Sequence, residues 1–172
     1  KTVLWVGRVA PVKRVEWILA IAAAQPEYQF RLVCGLNHKT DYAQGLIKEL
    51  SQLSNVTIVD SMSRPELFGE YRRASVLLLT SRMEGFPNVF IEAWLAGTPV
   101  LSTFDPDGLV QAHQLGWIAD TQEALIAQLA SGLFASDEQE QAMRNHVRAY
   151  AEQHHSPEVL LPRFETLLRS LS

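Results

Sequence analysis

The sequence predicts an α/β domain on three observations. Short apolar runs rich in Val, Leu and Ile recur along the 172 residues. Stretches with helical spacing of apolar residues separate these runs. The composition is that of an ordinary globular protein, 47% hydrophobic and 20% charged, which rules out a disordered tail, a collagen-like rod and a disulfide-stapled mini-scaffold. Such strands, separated by helices, build a parallel sheet buried on both faces. The expected architecture is a Rossmann-like parallel sheet of about six strands with helices on both faces. It is expected as one domain over residues 1–172.

Each element has a local reason. Thr2–Gly7 (TVLWVG) reads as a buried strand, and Val15–Ala24 as a helix that stops before Pro26. Gln29–Gly35 is the second strand. Tyr42–Leu53 is a helix because Leu46, Leu50 and Leu53 share one face. Val56–Asp60 is the third strand. Arg64–Arg73 is a helix with Ser63 as N-cap and Pro65 in the first turn, where its missing N–H costs nothing. Ser75–Thr80 (SVLLLT) is the fourth strand, and Asn88–Ala96 a helix ended by Gly97. Thr98–Ser102 is the fifth strand, with Pro99 tolerated at its start, and Gly116–Ala119 the sixth. Three helices follow, roughly Thr121–Phe134, Asp137–Gln153 and Pro157–Leu171. The charged stretch Asp137–Arg148 reads as a solvated helix face.

Charge and cysteine usage exclude several functions. The net charge is −4 and the pI near 5.7, so the cationic excess that grips nucleic-acid phosphates is missing and no nucleic-acid partner is expected. Cys34 stands alone, so no intramolecular disulfide forms, which fits a reducing, cytoplasmic compartment. The apolar run Ile18–Ala24 is too short to span a bilayer. Lys1 leads straight into a strand with no signal peptide before it, so the expectation is a piece of a longer protein cut at a domain boundary.

Ligands of parallel sheets bind beyond the carboxyl ends of the strands, and two constellations fall there. The first is Gly7-Arg8 with Lys13 and Arg14. Cations beside a helix N-terminus make an anion site, because the free N–H groups and the dipole favour negative charge and Arg grips phosphate bidentately. The alternative is a solvated basic loop. Neither a P-loop nor a GxGxxG fingerprint is present.

The second constellation is a pair of carboxylates. Glu92 is the one charged residue between Phe86 and Leu101 (FPNVFIEAWLAGTPVL). A carboxylate in so apolar a helix needs hydrogen-bond donors or must neutralise. No cation stands three or four residues away, so its partner is a distant side chain or a ligand. Glu84 lies eight residues earlier, in the loop after the fourth strand. Between them, Gly85 lets a backbone approach a ligand, and Asn88 is placed to cap the helix. Carboxylates accept from hydroxyls and helix N-termini bind anions, so a ligand with vicinal hydroxyls and phosphate, a sugar nucleotide, fits both features. A buried ion pair plus a loop acid is the structural alternative.

Glu84-Gly-Phe-Pro-Asn-Val-Phe-Ile-Glu92 resembles the E-x7-E motif of retaining glycosyltransferases of the GT-B fold, family 4 type (glycosyl transferases group 1). Val6-Gly7-Arg8 with Lys13 is similar to that family's G-R-x-x-x-x-K segment, and Glu92-Ala-Trp-Leu-Ala-Gly-Thr-Pro-Val to its E-A-x-A-x-G-x-P-V stretch. The resemblance implies the C-terminal, nucleotide-sugar-binding domain of a two-domain enzyme. Such an enzyme moves a sugar from a nucleotide diphosphate sugar to an acceptor with retention, needing no metal and no cofactor beyond the donor substrate. It further implies that Arg8 and Lys13 hold the diphosphate and stabilise its leaving charge, and that Glu84 binds a hydroxyl of the transferred sugar. Glu92 would accept from the ribose, while Gly7 and the backbone of Gly85, Phe86, Pro87, Asn88 and Val89 line the donor site. The base would lie near Asp60–Ser63. The acceptor would be bound mainly by an N-terminal domain absent from this chain, so that this domain alone is expected to be inactive. Peripheral membrane contact would come only through the rest of the protein, since this half shows no basic amphipathic helix.

Two departures stand out. Arg14 follows the lysine where the family often has Gly, and either adds a cation or points away. Thr103-Phe-Asp-Pro-Asp-Gly replaces a Gly-Gly-x-x-E type segment near the phosphates. Arg82 is close enough in sequence to pair with Glu84 when no ligand is bound. Other signals have plainer readings. Asp105-Pro-Asp107 matches a metal-binding D-x-D, but its Pro and Gly are turn chemistry. His154-His155 reads as a surface pair, and His38, His113 and His146 as isolated surface or satisfied groups. Cys34, Trp17 and Trp94 read as core, with Trp117 either core or a pocket wall. Rival functions are a nucleotide-sugar epimerase or phosphorylase-like enzyme on the same architecture, and a non-catalytic nucleotide-binding module that would not need Glu92.

Overall fold

The computed structural model describes residues 1–35 and 40–170; the reading of His38 falls outside them. Six strands form one sheet: β1 (Thr2–Gly7), β2 (Gln29–Cys34), β3 (Val56–Val59), β4 (Val76–Leu79), β5 (Val100–Ser102) and β6 (Gly116–Ile118). Their order is β3-β2-β1-β4-β5-β6 and every pairing is parallel. The chain therefore winds outward one way through β2 and β3, then restarts from β4 on the other side of β1. The gap between the ends of β1 and β4 is the switch point at which such sheets open a ligand crevice. The expected α/β Rossmann-like sheet is present, strand for strand.

Eight helices surround the sheet among the described residues, α8 packing on α7: α1 (Glu16–Ala24), α2 (Asp41–Leu50), α3 (Arg64–Arg73), α4 (Asn88–Leu95), α5 (Leu109–Ala112), α6 (Gln122–Ala130), α7 (Asp137–His155) and α8 (Pro157–Ser170). Alternate strand residues feed two separate cores. Trp5, Phe30 and Leu32 join Ile18, Leu46 and Leu125 of α1, α2 and α6 on one face. Leu4, Val33 and Leu77 join Tyr71, Trp94 and Val147 of α3, α4 and α7 on the other. Both faces are thus buried, which is why the strands read as continuous apolar runs rather than alternating ones. Cys34 is buried, and loss of solvent, with a smaller push from Asp60, drives its thiol pKa up to about 12, so it is an inert core group. Trp94 is buried with its indole N–H donating to the Leu115 carbonyl at 3.2 Å. Trp117 lies edge-on to Phe134 with ring centres 5.5 Å apart.

One expectation needs correction, and one element was missed. The charged face of α7 is not simply solvated. Arg144 donates to the carbonyls of Arg72, Ala74 and Gly97, and Arg148 to that of Ala96. These are carbonyls at the C-terminal ends of α3 and α4, left without intrahelical partners, and cationic side chains satisfy them. Gly97 is required here, since its φ is +80° and a Cβ would stand 2.7 Å from Arg148 Nη2. The short helix α5 was not legible, because its four residues show no periodicity. Asp105 explains it: its carboxylate accepts from the backbone N–H groups of Val110 (2.7 Å) and Gln111 (3.2 Å), which is the turn-and-cap reading of Asp105-Pro-Asp107.

Candidate functional site

The segment after β1 is stitched to the segment after β4. Pro11–Lys13 forms one 3-10 turn, and Arg14 follows with φ +46° and ψ +45°. That left-handed conformation explains why glycine suits the position. Arg14 offsets the strain with its side chain, donating to the carbonyls of Thr80 (2.8 Å) and Ser81 (3.0 Å) and lying over the Trp17 ring at 4.0 Å. Burial lowers its pKa from the usual value. The Thr80 hydroxyl donates to the Lys13 carbonyl at 2.6 Å, and the Arg82 amide to that of Val12 at 2.8 Å. So Arg14 points away from the crevice and works as a strut, while Lys13 is held over the opening.

Lys13 Nζ is ion-paired with Glu84 Oε1, both side chains largely buried. The sequence pointed to Arg82 as the neighbour of Glu84, but Arg82 is exposed and the cation arrives instead from across the switch point. The pair stands in a cavity of about 510 Å³, a size suited to a small ligand. Gly7, Arg8, Lys13, Glu84, Phe86, Pro87, Asn88 and Val89 line it together, with Val33, Asp60, Ser61 and Met62 at its far end beyond β2 and β3. Arg8 is exposed and has no ion-pair partner among the described residues. The N-terminus of α4 opens on the same space. Pro87 occupies its N-cap position and no side chain caps it, so Asn88 is the first helical residue rather than the expected cap. Ser63, expected as the N-cap of α3, forms a full capping box with Glu66.

Glu92 and Gly85 are not part of that lining. Gly85 is exposed, and a Cβ there would meet nothing within 4 Å. Glu92 opens instead on an adjoining pocket of about 160 Å³, walled also by Arg64, Leu67, Phe68 and Tyr71. Leu67 faces both spaces. The carboxylate of Glu92 accepts from the Tyr71 hydroxyl at 2.9 Å. Its partner is thus a neutral phenol, not a cation. Desolvation, followed by the Glu92 charge, pushes the Tyr71 pKa upward, so the phenol stays protonated and remains a donor.

Sequence reasoning missed Tyr71, though one signal marked it: it is the aromatic residue among the charged Glu70, Arg72 and Arg73. The histidine pair also differs from expectation. His155 is half-buried, its ring centre 5.9 Å from Phe86 and 6.2 Å from Trp94, and burial lowers its pKa. His154 remains exposed against Tyr150.

The sequence profile of glycosyl transferases group 1 matches residues 1–135. The D-inositol 3-phosphate glycosyltransferase of Mycolicibacterium smegmatis is 32% identical over 136 residues, covering 70% of this chain and 31% of that protein. The chain spans about a third of the length of the curated relatives it matches. Sucrose-phosphate synthase from Thermosynechococcus elongatus superposes with a TM-score of 0.86 at 26% identity, over 99% of this chain and 45% of that one. A mutant of S. aureus TarM, solved with fondaparinux, alpha-GlcNAc-glycerol and UDP, superposes at 0.78 with 18% identity, over 97% and 35%. With its profile match, its sheet order and its E-x7-E stretch in agreement, the chain belongs to the group 1 glycosyl transferases.

Proposed function

We propose that this chain is the donor-binding half of a retaining glycosyltransferase that takes a sugar from a nucleotide diphosphate sugar. The observation that carries the reading is one cavity at the β1/β4 switch point that gathers Arg8, the Lys13–Glu84 pair and the uncapped N-terminus of α4. The diphosphate lies across Arg8, Lys13 and the α4 amides, where positive charge and free N–H groups converge. As the anomeric carbon–oxygen bond breaks, negative charge grows on the leaving diphosphate, and fixed cations stabilise it. The acceptor oxygen bonds to the same face of that carbon and its proton passes to the departing diphosphate oxygen, so no base is required from this half. Glu84 accepts from a hydroxyl of the sugar, and Glu92 from the ribose in the adjoining pocket. The base lies toward Asp60–Met62, between the ends of β2 and β3. With two cations on the diphosphate, the reaction needs no metal. The acceptor site belongs to residues outside these 172, and the lone cysteine suits a cytoplasmic setting.

A melting-temperature panel of UDP, GDP, ADP and their sugars tests the reading. A ligand at 100-fold its Kd adds about 2.7 kcal/mol of stability, several degrees for a domain of this size. One base is expected to stand out, and Glu92→Gln to reduce its shift. Equal, negligible shifts for every nucleotide, or full retention of the shift in Glu92→Gln, would overturn it. No transfer is expected from the 172 residues alone.

A further inference from the structure

We propose that Tyr71 is a positioning residue that fixes Glu92 for the ribose of the donor; the proposal rests on the reading of Glu92 given above. The phenol is 1% exposed, so its ring has one place to be. Its hydroxyl donates to Glu92 Oε2, which leaves Oε1 available to a ligand hydroxyl in the adjoining pocket that Glu92 lines. Both ends of this contact are anchored. Tyr71 is on α3 and Glu92 on α4, and Arg144 and Arg148 hold the C-terminal carbonyls of both helices. The Thr98 hydroxyl, from the loop after α4, donates to the Tyr71 carbonyl. The helices therefore carry the two side chains as one rigid unit.

The chemistry of the partner matters as much as its position. A cation would neutralise Glu92 and compete with any incoming donor. A phenol supplies one hydrogen bond and brings no charge, so the remaining lone pairs of the carboxylate can take a vicinal diol. The bond also restrains the carboxylate rotation that ligand binding would otherwise have to freeze.

The test compares the nucleoside diphosphate among UDP, GDP and ADP that stabilises the wild-type chain with its 2′,3′-dideoxy analogue, by calorimetric Kd. Wild type is expected to prefer the ribose form at least about tenfold, as one or two charge-assisted hydrogen bonds imply. Tyr71→Phe keeps the buried ring. It is expected to weaken the ribose form by about three- to tenfold, the range of a single hydrogen bond, and to leave the dideoxy form unchanged. In a Glu92→Gln background the same change should alter the preference by less than about twofold, since the two side chains act through one contact. Equal weakening of both ligands would mean a structural role and overturn the proposal, as would no change in either. If wild type itself binds both ligands equally, the ribose reading of Glu92 has failed, and the proposal with it. If Tyr71→Phe does not fold, a 13Cζ label on Tyr71 gives the answer: its resonance should move with the ribose form only, and an unmoved resonance overturns the inference.

Discussion

Glu84 and Glu92 come from one short stretch of sequence and are held in opposite ways. Glu84 sits on a loop, paired with a charged side chain that reaches it from another loop. Glu92 sits on a helix, hydrogen-bonded to a neutral phenol on a neighbouring helix. The first contact is between two charges that, on the proposed reading, exchange each other for the diphosphate and the sugar of the donor. The second has no competing use, because the phenol stays protonated and buried. On that reading the same residue type serves as an exchangeable contact in one place and a fixed one in the other. What decides between them is the partner's charge and the rigidity of the element that carries it.

The largest expected effect comes from removing the exchangeable partner. Lys13→Ala deletes a cation from the proposed diphosphate cradle and leaves Glu84 facing it unneutralised. Charge-assisted hydrogen bonds are worth about 1.5–3 kcal/mol each, so affinity for the preferred nucleoside diphosphate should fall by about ten- to a hundredfold in calorimetry. A fall of less than twofold would break the contrast, since Lys13 would then be a structural partner of Glu84 and nothing more.

This contrast also marks how far the sequence could be read. The sheet was legible because a strand buried on both faces leaves a continuous apolar run, and all six such runs became strands. Arg8, Lys13 and Glu84 were legible as candidates because they follow strands of a parallel sheet, and the sheet order, which the sequence did not reveal, brings the ends of β1 and β4 together around one cavity. Their partners were not legible. The Lys13–Glu84 pair joins residues 71 positions apart, and Tyr71–Glu92 joins two helices. Arg144 and Arg148 looked like solvent-facing charge because the carbonyls they satisfy belong to other helices, a tertiary fact with no local signature. The reading of Arg14 stayed open between a cation for the ligand and a side chain turned away, and its φ of +46° with two bonds to the β4 loop answers for the second.

A moderate effect of unusual sign follows from Glu84→Gln. On the proposed reading the wild-type carboxylate competes with the diphosphate for Lys13, and the amide does not. Bare nucleoside diphosphate should bind about two- to fivefold more tightly, less than the value of one full ion pair because both groups keep partial contact with water. The nucleotide sugar should gain nothing, because a hydrogen bond from the sugar to the charged carboxylate is lost at the same time. The readout is the ratio of the two affinities, which should shift toward the bare diphosphate. If both ligands weaken together, Glu84 supports the cavity rather than exchanging partners.

The smallest effect concerns the frame behind Glu92. α3 begins at the Ser63–Glu66 capping box, where the Ser63 hydroxyl and amide both donate to Glu66 and hold its carboxyl pKa below the ordinary value. A carboxyl whose folded pKa is depressed stabilises the fold above its unfolded pKa and loses that contribution as pH falls through the folded value. Ser63→Ala removes the hydroxyl, and with it the side-chain cap and the larger cause of the depression, while the backbone amide still donates to Glu66. Its melting temperature should therefore lie slightly below wild type at neutral pH, and the gap should narrow as the pH drops below the usual carboxylate range. The group is fully solvent-exposed, so the shift should be of the order of a degree or two and shrink further in salt. Ribose preference should not change, because Arg144 and Arg148 hold the far ends of α3 and α4 independently of the cap. A gap that widens in acid would reverse the sign assigned to Glu66. A lost preference would mean that the Tyr71–Glu92 contact depends on the start of α3 as well as on its end.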